Sequence, residues 1–222
     1  MPTKTFVINL ASRPDRWEYW KDKDVIRWEA TSRDEIDPND PIMDDMISYH
    51  NIRHTPQHTG KIACFLSHTR LWKHIAENEI DDVLILEDDA IGMWDGDTSY
   101  LMDDGITYFG GFFTSPKIGE KFDRKAIEEE LLHGLNLVDP SKFRVMTTLA
   151  YYIPRWELAG EMFERVINQS RYRAIDVMLS KLGLGQYFIY PAKYWEKPDK
   201  SDIREDKRKF ANCDYEFKSS TE

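Results

Sequence analysis

Three carboxylates stand side by side at Glu87-Asp88-Asp89, directly after the apolar run Val83-Leu84-Ile85-Leu86. Adjacent like charges repel, and a plain strand-to-loop junction does not require three of them. A hard divalent cation offsets that repulsion and prefers oxygen ligands. The run before them suits a central parallel strand covered on both faces, and open α/β sheets bind ligands beyond the carboxyl ends of their strands. The alternatives are a solvated acidic turn or an acidic cap on the next element.

A second candidate is the turn Asn9-Leu10-Ala11-Ser12-Arg13-Pro14-Asp15-Arg16. Backbone N–H groups at a helix start favour an anion, and Arg13 and Arg16 add charge-assisted contacts to a diphosphate. The plain alternative is a capped helix with two surface arginines. Ser67-His68 falls within a helical pattern, where His68 need not share the core stripe and can reach a ligand near the sheet edge. A hydrogen-bonded structural histidine is the competing reading. Asp176, among apolar neighbours at a helix start, is either a cap and dipole partner or a general base tuned by partial burial.

Other residues carry less. His50, His54 and His58 are spaced four apart, as on one helical face, but Pro56 interrupts them and no HExxH glutamate accompanies them, so they read as a loop rather than a zinc site. Cys64 reads as a small core residue. Ser67 lacks the GxSxG context of a nucleophile elbow, and no GxGxxG or GxxxxGK[ST] loop is present.

These residues need elements to hold them. Phe6–Leu10 reads as a buried strand, with Ser12 as cap and Pro14 in the first turn of the helix that follows. Val25–Ala30 reads as a second strand, and residues 32–60 as a polar excursion with one short helix at most. From Lys61, the residues Ile62, Phe65, Leu66, Thr69, Trp72, Ile75 and Ala76 recur at helical spacing. Ile106–Phe109, Val145–Ile153 and Phe188–Tyr190 read as strands, and 124–133, the stripe from Leu158 to Ile167, and Ile175–Leu182 as helices. Alternating strands and helices with no linker predict one α/β domain over 1–205, followed by a charged tail over 206–222.

Composition narrows the class. Hydrophobic residues make up 41% and aromatics 13% of the 222 residues, enough to bury a core and to exclude global disorder. Thirty Lys and Arg against 40 Asp and Glu leave a net charge of −10, which disfavours sequence-independent nucleic-acid binding. Cys64 and Cys213 are far apart and form no CxxC, which argues against a disulfide framework or a cysteine zinc site. Met1–Thr5 runs straight into a strand-like segment rather than a signal peptide, and no apolar run approaches the ~20 residues of a membrane span. The expectation is a soluble, cytoplasmic protein.

Several segments in order resemble one family. Phe6–Leu10 with Arg13-Pro14-Asp15-Arg16 resembles the opening "INL..R.DR" signature of glycosyltransferase family 25; Gly60–Trp72 is similar to its "G..ACFLSH..LW" helix, and Leu84–Ala90 to its "LILEDD" strand end. Weaker echoes follow at Tyr108–Gly111, Ala150–Ile153, Ala174–Asp176 and Ser201–Ile203. The compact length and the absence of a secretory signal look more like bacterial or chlorovirus-type members, the latter acting in a host cytoplasm.

The resemblance implies a GT-A-like single domain with a central mixed, mostly parallel sheet flanked by helices, its nucleotide-binding part about 1–110 and its acceptor part about 111–205. It implies transfer from a nucleotide sugar, a UDP-sugar first, to a glycan or glycoprotein hydroxyl with inversion. Glu87 and Asp89 match the outer acids of a DxD-type motif that would hold Mn²⁺ or Mg²⁺ against the donor diphosphate, with Asp88 between them. Asn9, Arg13 and Arg16 would lie near the nucleotide, Lys61, Ser67 and His68 would border the donor, and Asp176 matches the later acid expected as base. The chain departs from the pattern after the second strand, where Ala30-Thr31-Ser32-Arg33 replaces an acid and glycine. A metal-dependent nucleotide-sugar or phosphoester hydrolase, and a non-catalytic nucleotide-sugar-binding module, are the rival readings of the same residues.

Overall fold

The structure is a computed structural model that describes residues 4–37, 56–116, 122–169 and 172–197. Its centre is a seven-stranded mixed sheet in the order β2-β1-β3-β9-β5-β10-β7. These strands are β1 (Lys4–Asn9), β2 (Ile26–Glu29), β3 (Val83–Glu87), β5 (Gly105–Tyr108), β7 (Gly134–Leu137), β9 (Ala150–Ile153) and β10 (Gly185–Tyr190). β1 runs parallel to β2 and β3, and β5 parallel to β10; β9 is antiparallel to both its neighbours, and β7 is antiparallel to β10. Two small antiparallel pairs flank it: β4 (Ala90–Gly92) with β11 (Tyr194–Glu196), and β6 (Phe112–Thr114) with β8 (Arg144–Met146).

Helices cover the sheet. They are α1 (Pro14–Trp17), α2 (Pro56–Glu77), α3 (Arg124–Glu130), α4 (Trp156–Ile167) and α5 (Ile175–Leu179). The apolar run of β3 has a direct cause in this layering. Val83 and Ile85 pack with Phe65, Trp72, Ile75, Leu158 and Met162 from α2 and α4, whereas Leu84 and Leu86 pack on the other face with Val7, Trp20, Phe109 and Tyr152. A strand buried on both faces cannot alternate with polar residues. Among the described residues, no helix is long and apolar enough to cross a membrane.

Several sequence expectations change. Val145–Ile153 is two strands, β8 and β9, in different sheets, and Thr147 between them takes φ +79°. A β-branched residue avoids that region, so nothing in the apolar pattern signals the break. Ser12 does not cap α1: Arg13 occupies the N-cap position with no side-chain cap, and the Asn9 amide instead donates to the Arg13 carbonyl. The helix expected over 124–133 stops at Glu130, and α5 stops at Leu179. β4, β6, β7 and β11 are three or four residues each, too short to show a period. Of the spaced histidines, His50 and His54 lie outside the described residues, as do the tail after Lys197 and the Ser201–Ile203 echo; the backbone at His58 is in the first turns of α2.

Two glycines separate close packing from helix propensity. Gly105 and Gly185 are register partners in the parallel β5–β10 pair, and a Cβ on Gly105 would stand 2.1 Å from the Gly185 carbonyl oxygen. Gly160 lies inside α4, where a Cβ would meet only the Ala76 Cβ at 3.4 Å. In urea unfolding, Gly105→Ala is expected to lower stability by about 1–3 kcal/mol through overpacking. Gly160→Ala is expected to be neutral or stabilising by up to about 1 kcal/mol.

Candidate active site

The acidic turn sits where β1 and β3 end together, since Ile8 is the register partner of Glu87. Asn9, fully buried at the end of β1, donates its amide to Asp88 Oδ2 at 2.7 Å. The short helix α1 then brings Arg16 across the turn: its Nη1 donates to Asp88 Oδ1 at 2.7 Å and to Asp89 Oδ2 at 3.2 Å. The Trp20 indole N–H donates to the Asp88 carbonyl at 3.1 Å. Both Asp88 oxygens are thus held by protein groups. Burial still raises the Asp88 carboxyl above its usual range, against the pull of Arg16 and Asn9.

Its neighbours differ. Burial, with the negative charge of Glu87, pushes Asp89 up to about 8 against the nearby Arg16 charge. Its Oδ1 is buried without a hydrogen-bond partner. Glu87 is pushed up by burial, yet hydrogen bonds from His68 and Thr148 and the charge of Arg16 outweigh that and hold it below its usual range. Thr148 reaches Glu87 because β9 runs antiparallel to β3, with Ala150 opposite Leu86. The entry to β9 therefore lies beside the exit from β3.

Helix α2 supplies the second wall. His68 is 1% exposed; its Nδ1 is 2.8 Å from the Tyr151 hydroxyl and its Nε2 is 3.4 Å from Glu87 Oε1. Tyr151 also accepts from the Trp72 indole N–H at 2.8 Å. The Ser67 hydroxyl donates to the Ala63 carbonyl at 2.7 Å and accepts the Thr31 N–H at 2.8 Å. Arg70 Nη1 donates to the Thr31 hydroxyl at 2.9 Å, so the segment after β2 is tied to α2 by polar contacts.

The third wall is the start of α5. Asp176 accepts from the Val177 N–H at 2.8 Å and from the Thr147 N–H at 3.4 Å. Burial raises its carboxyl, reinforced by Glu87, while these backbone N–H groups and Lys61 oppose the rise.

All three walls enclose one cavity of about 470 Å³. Arg16, Lys61, Ser67, His68, Glu87, Asp88, Asp89 and Asp176 all line it. Asn9 and Arg13 do not line it. Asn9 acts through Asp88, and Arg13 pairs with the exposed Asp15 at 2.8 Å. The cavity also takes in Ala30, Thr31 and Arg33, the segment that departs from the family pattern, and Glu196, whose strand β11 pairs with β4 at Ala90. Sequence reasoning missed Thr148, Tyr151 and Glu196; their proximity depends on strand pairing and leaves no local signal. The residues present suit a hard cation, because Asp89 Oδ1 is a buried, unpartnered carboxylate oxygen beside two further acids.

No curated protein matches the chain to a significant degree. Residues 2–93 match the family model of glycosyltransferase family 25 (LPS biosynthesis protein). That stretch carries Arg16, Lys61, His68 and the acidic turn, so the likeness covers this part of the cavity wall and stops short of Thr148 and Asp176.

Proposed function

We propose that the protein is a metal-dependent, inverting glycosyltransferase that moves a sugar from a nucleotide sugar, with a UDP-sugar as the first donor to test, to a hydroxyl of a glycan or glycoprotein. One observation carries the reading: the acidic turn after β3 and the distant Asp176 face the same cavity, in a chain whose first part matches a glycosyltransferase family. Glu87 and Asp89 would hold Mn²⁺ or Mg²⁺, which when bound supplies positive charge to the departing diphosphate.

The chain's own residues do the rest. Arg16 fixes Asp88 and Asp89 relative to each other, and His68 with Thr148 fixes Glu87. Lys61 adds positive charge to the cavity wall. Asp176 is held by two backbone N–H groups in one orientation. In the transfer, the acceptor oxygen bonds to the sugar carbon on the face opposite the diphosphate while the carbon–diphosphate bond breaks. The hydroxyl proton passes to Asp176, whose raised affinity for protons suits a base. One base and one displacement invert the configuration.

The test separates binding from chemistry. Asp176→Asn should leave donor affinity within about threefold and lower transfer at least about 100-fold, the usual contribution of a general base. Loss of donor binding instead would make Asp176 a structural acid. A base must be deprotonated to act, so with its carboxyl raised above 3.8 the acid limb of kcat/KM should have its midpoint above that value in the wild type. Activity should fall as pH drops through that midpoint. Asp89→Asn should abolish Mn²⁺-dependent donor binding while circular dichroism shows an intact fold. Product analysis must place the sugar on an acceptor; release of free sugar alone would indicate a hydrolase.

A further inference from the structure

A second ligand set overlaps the acidic turn. Cys64 and His68 are four residues apart on α2 and so share a helical face. One donor atom from each of Cys64, His68 and Glu87 lies within 4.8 Å of the other two, and all three residues line the cavity. His68 Nε2 and Glu87 Oε1 are 3.4 Å apart. Two ligands on a tetrahedral zinc, each about 2.0–2.1 Å from the metal, stand at about that separation. Cys64 is a free, half-buried cysteine whose Sγ already lies within that 4.8 Å.

We propose that Cys64, His68 and Glu87 form a zinc site, with its fourth position open to the cavity. A thiolate, an imidazole and a carboxylate are a donor set that borderline-soft Zn²⁺ prefers and that Mg²⁺ or Mn²⁺ does not. The outer partner is in place too. A zinc-bound histidine donates its other ring N–H to a nearby oxygen, and the Tyr151 hydroxyl oxygen lies 2.8 Å from Nδ1. On binding, the Cys64 proton leaves to solvent and the His68 proton resides on Nδ1, leaving Nε2 to the metal. Zn²⁺ and a hard cation then compete for Glu87, a consequence that rests on the metal reading of the acidic turn. The zinc site itself does not depend on that reading.

The direct test uses metal-free full-length protein, with Zn²⁺ and Co²⁺ as the probes and no sugar substrate. Wild type should bind one equivalent of Zn²⁺, and Co²⁺ should give a thiolate-to-cobalt charge-transfer band. Cys64→Ser should remove that band and weaken Zn²⁺ binding at least about 10-fold, the lower end of what even outer-shell changes cost at zinc sites. Cys64→Ala, which adds no polar group, should do the same, and circular dichroism should show both variants folded. Asp89→Asn should leave Zn²⁺ affinity within about threefold. The proposal is overturned if folded wild type fails to bind Zn²⁺, if the cysteine variants bind it as tightly as wild type, or if Asp89→Asn costs as much as they do. That last result would move Zn²⁺ to the acidic turn. Failure of donor binding or transfer would leave these readings untouched, so the two proposals fail separately.

Discussion

One guanidinium holds the acidic turn together. Glu87, Asp88 and Asp89 follow one another on the chain, and Arg16 bonds to both Asp88 and Asp89 from a 7% exposed position. Buried like charges are costly without such a partner, and removing one side of a buried pair typically costs about 3–5 kcal/mol. Arg16 does not neutralise the set completely. Asp89 keeps a buried oxygen with no partner and an elevated affinity for protons, so the turn is left with unmet negative potential facing the cavity. Part of the cost of that turn is therefore not relieved by protein groups.

The sheet order explains how distant residues share this place. β3 lies between β1, which is parallel to it, and β9, which is antiparallel. The parallel neighbour ends where β3 ends and delivers Asn9 and, one turn later, Arg16. The antiparallel neighbour begins where β3 ends, so Thr147 and Thr148 arrive at the same edge from the opposite direction. Thr148 then steadies Glu87, while the N–H of Thr147 reaches Asp176. Behind them, Trp72, Tyr151 and His68 form a buried hydrogen-bonded line that sets the imidazole against Glu87. The inverted strand therefore joins the acidic turn to the side that carries Asp176.

What the sequence disclosed follows from the range of each interaction. The apolar run of β3, the helical stripe of α2 and the acidic triplet are local patterns, and all three stand where they were expected. Arg16, Lys61, His68 and Asp176 could be singled out by residue type and family resemblance, and the fold brings them to one cavity. Asn9 and Arg13 were equally visible as residues, but neither lines the cavity: the Asn9 amide is engaged by Asp88, which does, and Arg13 pairs with the exposed Asp15. The break at Thr147 and the approach of Glu196 through β11 were illegible, because a backbone angle and a strand pairing produce them, not a period. Cys64 was read as a small core residue; only the facing strand makes it a neighbour of Glu87.

The central claim is that the unmet charge of the acidic turn is completed by a divalent cation that carries a nucleotide-sugar donor. Calorimetric titration of the folded protein with a panel of UDP- and GDP-sugars, with and without Mn²⁺, tests this most directly. The account predicts saturable binding of one donor class with Mn²⁺ present and none in a chelator. Equal binding with and without the metal, or no binding of any donor to protein shown to be folded, would contradict it.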